Sequence, residues 1–264
     1  MKRSILFMTV ASLAGTLMAA PKVEVQGAVK KLGDAGSYGW TSTTTNLSPA
    51  GGPGGGPGGG GGRGRGGFGG GGPMEGKIGK DGIAYITSTS NFGGNPMTME
   101  RVVKGDKTAM KNQDGTWQTP EEMMAAFGGG GGGGAPGGGR GRGGGMFGGT
   151  AVLPAAQAAD LLSKVKDVSM AGGVYSGDLT EDGAKSLMAF GGRGGGAGPD
   201  IAGAKGSVKF WLKDGVLTKY EFNVQGTMSF GGNDMPMNRT TIIEIKDVGT
   251  TTVTVPDEAK KKVS

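Results

Sequence analysis

The 264-residue chain contains no cysteine and no histidine. This excludes disulfides, thiol nucleophiles, the usual zinc ligand sets and every histidine-based triad. With so few groups suited to catalysis, the expectation is a non-enzyme without metal or cofactor. Aromatic residues are sparse, at 6%. Beyond the N-terminus no stretch is apolar enough for a membrane helix, so stable membrane insertion is not expected. The formal charge is +6, and without Lys2 and Arg3 the balance is 26 basic to 22 acidic residues. Such a mild excess names no partner by itself.

Lys2 and Arg3, the apolar run from Ile5 to Leu17 and the small residues Ala19 and Ala20 make a cleavable export signal over 1–20. The mature chain is then periplasmic or secreted. No cysteine stands near the cut to carry a lipid anchor.

Glycine is abundant and concentrated: most of the 62 glycines lie in tracts at about 51–73, 128–149 and 191–198. Such tracts cannot bury enough apolar surface to offset their conformational entropy, so they are read as disordered insertions. Loop-closure entropy rises by only roughly 0.6 kcal/mol per doubling of length, which lets a sheet tolerate them. The remainder, about 190 residues, suffices for a single β-domain over 21–264.

A repeat organises that remainder. Phe92-Gly93-Gly94-Asn95-Pro96-Met97-Thr98-Met99-Glu100-Arg101 and Phe230-Gly231-Gly232-Asn233-Asp234-Met235-Pro236-Met237-Asn238-Arg239 share the pattern F-G-G-N-x-M-x-M-x-R. Upstream stand Lys80-Asp81-Gly82-Ile83 and Lys213-Asp214-Gly215-Val216. Each unit reads as turn, strand, Gly-Gly-Asn tip, strand, an antiparallel meander used twice.

Around it, apolar spacing predicts a helix from Val23 to Leu32, a strand from Tyr38 to Leu47, a helix starting at Thr119 and Pro120, and a helix from Pro154 to Val165. Thr180 is read as the N-cap of a further helix, and Val168 to Gly177 as one strand. Alternation predicts strands around Val208–Leu212 and Val216–Val224. A three-residue loop at Lys213-Asp214-Gly215, pairing Phe210 with Thr218, is preferred to a two-residue loop because it keeps one face apolar. Thr240–Lys246 and Thr250–Val255 are expected to close the sheet.

Three motifs bear on function. Arg63-Gly64-Arg65 and Arg140-Gly141-Arg142 look like RNA-binding boxes, but behind an export signal they read as solvated spacers with weak affinity for anionic envelope polymers; no nucleic acid is expected. Any G-x-G-x-x-G match in a glycine run is met by chance. The pairs Met97/Met99, Met123/Met124 and Met235/Met237 suit a soft apolar surface, with Cu(I) a second use and core filling the commoner one.

The stretch Gly206-Ser207-Val208-Lys209-Phe210-Trp211-Leu212-Lys213-Asp214-Gly215-Val216-Leu217-Thr218-Lys219-Tyr220, the ending Thr251-Thr252-Val253-Thr254-Val255-Pro256 and the order of elements resemble the bacterial lipoprotein-carrier superfamily, the LolA-like and LppX-like set. That resemblance implies an α+β fold: a curved antiparallel sheet, an incomplete barrel, with helices over its concave face and acyl chains held in an apolar cavity. It implies an exported carrier of a lipid or other hydrophobic ligand, with Phe210, Leu212, Tyr220, Phe222, Leu161 and Leu162 as lining residues. No gating arginine of the family can be placed on a matching position. The rival expectation is an envelope structural or interaction protein whose Gly/Arg tracts are the working part.

Overall fold

The computed structural model describes residues 20–47, 72–92, 95–128, 152–189, 200–230 and 233–264. The export segment and the three glycine tracts lie, apart from marginal residues, outside them.

Five helices occur among the described residues: α1 (Pro21–Asp34), α2 (Pro120–Gly128), α3 (Pro154–Ser163), α4 (Glu181–Met188) and α5 (Asp257–Val263). The strands are β1 (Tyr38–Asn46), β2 (Met74–Ile78), β3 (Ile83–Phe92), β4 (Asn95–Lys104), β5 (Lys107–Lys111), β6 (Trp117–Gln118), β7 (Ser169–Ala171), β8 (Val174–Asp178), β9 (Asp200–Lys213), β10 (Val216–Phe230) and β11 (Asn233–Lys246). All eleven form one antiparallel sheet in the order β6-β5-β4-β3-β2-β1-β11-β10-β9-β8-β7. β6 and β7 stay apart, so the sheet is curved and open, an α+β half-barrel.

Helix ends follow local chemistry. Proline begins α1 and α3, where a missing N–H costs nothing. α2 opens with a reciprocal cap: Glu122 N donates to Thr119 Oγ1 at 3.3 Å and Thr119 N to Glu122 Oε2 at 2.9 Å. Thr180 caps α4 by accepting from Gly183 N at 3.0 Å. The buried stripes Val25, Ala28, Val29, Leu32 of α1 and Ala158, Leu161, Leu162 of α3 face the same core.

Both repeat units are hairpins of this sheet. Phe92 pairs with Asn95 and Phe230 with Asn233; the Gly-Gly steps between them lie outside the described residues. β1 pairs antiparallel with β2 from Tyr38↔Ile78 to Ser42↔Met74, so the first glycine tract joins neighbouring strands. The prolines fit the strand edges. Pro236 lies beyond the last β1 partner of β11, Arg239, and Pro96 beyond the last β5 partner of β4, Arg101. Each strand there has a partner on one side only, where a missing donor is tolerated.

Three expectations are corrected. The β9–β10 turn has two residues, not three: Lys213 pairs with Val216, and Asp214 and Gly215 both take positive φ, 54° and 70°, as a type I′ turn requires. The face is kept apolar by a bulge between Leu217 and Lys219, after which Phe210 pairs with Tyr220 and Val208 with Phe222. The segment read as one strand over 168–177 is the hairpin β7–β8, turned at Gly172 and Gly173 with φ 58° and 80°. Thr250–Val255 joins no ladder; it leads to α5, which the sequence reading omitted.

Two cores result. The main one spans seven adjacent strands from β9 to β4 on the face that carries α1, α3 and α4, called inner below. A flat sheet of that breadth would measure about 29 Å; one continuous core over it goes with the curl. The second lies on the outer face, where Ala259 and Val263 of α5 cover Ile83, Val102, Ala109 and Trp117. Lys262 of α5 donates to Glu122 of α2 at 2.5 Å, which holds the C-terminus there.

Candidate functional site, an open methionine-lined face

The inner face divides into a closed part and an open part. Beneath α1 and α3 it is packed. Tyr220 Oη lies 2.7 Å from Gln157 Oε1 and 3.3 Å from Pro154 O, and Ala155 N donates to Tyr38 Oη at 3.4 Å. Burial pushes the Tyr220 phenol well above its ordinary pKa and raises that of Tyr38. Both stay neutral and pin the start of α3 to the sheet.

Five of the six residues read from the sequence as lining an apolar cavity fall in this closed part. Phe210, Tyr220, Phe222, Leu161 and Leu162 are buried in one cluster, with Leu212 half-buried at its margin. The structure brings them together as helix–sheet core, without an open wall.

The open part lies toward the hairpin tips. By register Met99, Ser88, Met74, Ser42 and Ile243 form one row across five strands, β4 to β11. Met97 follows Met99 along β4; on β11, Thr241 and Arg239 separate Ile243 from Met237 and Met235 nearer the tip. Two-residue periodicity puts all of them on the inner face. Met74, Met97, Met99 and Met235 are 37%, 38%, 47% and 57% exposed, and Met237 is packed half-buried against the main core. A run of exposed thioethers beside a closed core is an adaptable apolar surface.

The pattern's terminal arginines flank it. Arg101 and Arg239 are half-buried, and burial lowers the pKa of each guanidinium from its ordinary value. Arg239 Nη2 donates to Leu187 O of α4 at 2.8 Å. Sequence reasoning singled out the methionine pairs but not Met74, Arg101 or Arg239; the repeated final letter of the pattern was the available signal.

The outer face offers a cleft of about 440 Å³ under Thr252–Thr254, walled by Glu75, Lys77, Tyr85 and Lys246, with Lys246 Nζ 3.6 Å from Glu75 Oε1. Its charges are already paired or solvated. Among the described residues, no group of three or more Asp or Glu could hold a metal ion, and no helix is long and apolar enough to cross a membrane.

No family model and no curated protein matches the chain. Among solved structures, the lipoprotein LppX of Mycobacterium tuberculosis is similar over 89% of this chain and 98% of its own, at 10% identity and a TM-score of 0.40. A LolA-superfamily protein from Nitrosomonas europaea is similar over 94% of this chain and 99% of its own, at 7% identity and a TM-score of 0.30. Superpositions this loose bring no side chain into correspondence.

Proposed function

We infer that this is an exported, non-enzymatic binding protein that holds a lipid or other hydrophobic ligand non-covalently on the methionine-lined part of its inner face. The observation that carries this is the set of four exposed methionines, Met74, Met97, Met99 and Met235, on one face of a curved sheet. A solvent-facing strand surface is ordinarily polar; here four exposed methionines stand among the inner-face serines and threonines. Shielding an acyl chain there gains roughly 0.8 kcal/mol per buried CH₂. Arg101 and Arg239 add two half-buried guanidinium groups to the same face, and positive charge there favours a ligand with an anionic end. Export rests on residues 1–20, and the carrier role on the resemblance together with this face.

The test is a titration of the full mature chain with the fluorescent apolar probe N-phenylnaphthylamine, displaced by fatty acid. Met97→Gln with Met99→Gln is expected to weaken probe binding by about tenfold or more while the melting temperature stays put. Probe binding that is absent, or equal in the double variant, would overturn the assignment.

A further inference from the structure

One methionine packs on Gly226 of the second hairpin, and three more share its face of the sheet. Gly226 pairs with Met237, and two residues nearer the tip Met228 pairs with Met235. All three methionine side chains therefore leave the same face. Cβ atoms directly opposite on such a ladder lie about 5 Å apart and diagonal ones about 7 Å, within reach of long thioether side chains. The fourth sulfur comes from α4, whose last residue, Met188, is pressed onto Gly226. A Cβ at Gly226 would lie 2.9 Å from Met188 Cε and 3.1 Å from Met188 Sδ. The bond from Arg239 Nη2 to Leu187 O holds that helix end over the strand.

Burial is graded across the four. Met188 is 0% and Met228 6% exposed, Met237 is half-buried, and Met235 is 57% exposed. Core filling accounts for the first two. It accounts too for Gly226, where a Cβ would meet Met188 and Ala202 O, but not for a methionine left in solvent above them. A closed floor with one open side is the layout of a site that a small solute enters. Thioethers are soft, neutral donors that suit Cu(I) and leave hard cations to oxygen ligands. Without cysteine or histidine, thioethers are the soft donors this chain has.

We propose that Met188, Met228, Met235 and Met237 form a binding site for a soft monovalent cation, Cu(I), with Ag(I) as its redox-inert substitute. The ion would keep its single charge among neutral ligands. Arg239, one ladder step away, directs a guanidinium nitrogen to the Leu187 carbonyl. The site is independent of the apolar-ligand reading, because leucine in place of methionine keeps a greasy surface and removes the sulfur.

The experiment is native mass spectrometry of the full mature chain with Ag(I), followed by Cu(I) held reduced with ascorbate and competed by bicinchoninate. One tightly held ion is expected. Met188→Leu and Met237→Leu should each weaken it by about tenfold. Met235→Leu, at a solvent-exposed position where folding is not at stake, should weaken it too, whereas Met170→Leu should not. Apolar-probe binding should survive Met188→Leu and Met170→Leu, which lie outside the set Met74, Met97, Met99 and Met235. No retained Ag(I), or retention in M235L and M237L equal to that of the unsubstituted chain, would overturn the site. Loss of probe binding with Ag(I) retained would instead count against the apolar-ligand reading and leave the metal site standing.

Discussion

The two hairpins written from one ten-residue pattern share an exposed first methionine, Met97 and Met235, and differ at the second: Met99 is open and Met237 packs against the main core. In β10–β11 the inner face runs through Tyr220, Phe222, Val224 and Met228, all buried, and Arg239 is tied to α4. In β3–β4 the inner face is buried at Ala84, Ile86 and Val103, but Met97 and Met99 stand 38% and 47% exposed, and the packed helix, α5, lies on the other face. Local sequence set the strand–tip–strand geometry in both. What became core and what stayed open was decided by where α1, α4 and α5 landed. A methionine suits either outcome, since its flexible thioether packs well in a core and yields at a surface.

That contrast can be broken from either side. The largest effect is expected from Phe210→Ala in the closed part, where a fully buried ring packs beside Tyr220 at 6.4 Å between centroids. Truncation should cost about 3–5 kcal/mol in urea unfolding, against under about 0.5 kcal/mol for Met97→Ala in the open part. Next, Ala259→Asp would put a carboxylate against Ile83, Val102 and Trp117. A loss of about 2–4 kcal/mol is expected, with faster hydrogen exchange in β4–β6 and none of that change in β9–β10.

A smaller loss should follow from Gly76→Ala. The Trp40 ring lies across Gly76, and a Cβ there would sit 2.0 Å from Trp40 Cζ2. The indole must shift, at about 1–3 kcal/mol, with a change in tryptophan fluorescence. The smallest effect is a pH dependence in the first hairpin. Burial, helped by the hydrogen bond to Glu100, pushes the Tyr85 phenol from 10.0 to about 12. A raised folded pKa means the folded state holds its proton longer, so this contribution is whole below pH 10 and is lost as pH rises toward 12. Tyr85→Phe should flatten that segment of the stability curve.

The fold was legible where chemistry is local. Capping at Thr119 and Thr180, proline at Pro154, alternation in β9 and β10 and the twin Gly-Gly tips each place an element without reference to the rest. Errors arose where a distant partner decides. A two-residue turn at Asp214-Gly215 mismatches the apolar faces on paper, and only the bulge after Leu217 restores them. Thr250–Val255 reads like a strand, yet β11, which precedes it, already lies between β1 and β10. Likewise the aromatic and leucine residues picked as cavity lining are apolar and periodic, which marks burial and does not distinguish a packed wall from an open one. The exposed methionines carried the finer signal, because the pattern repeats them at positions where a core would accept leucine.

The central claim is that the methionine-lined part of the inner face holds a hydrophobic ligand. The most direct measurement is native mass spectrometry of the mature protein purified gently from its own envelope, with lipid extraction of the same sample. The account predicts a co-purifying lipid or acyl species that is depleted when Met97 and Met99 are both glutamine. A protein that arrives ligand-free, or one that carries the same species undiminished in that variant, would contradict it.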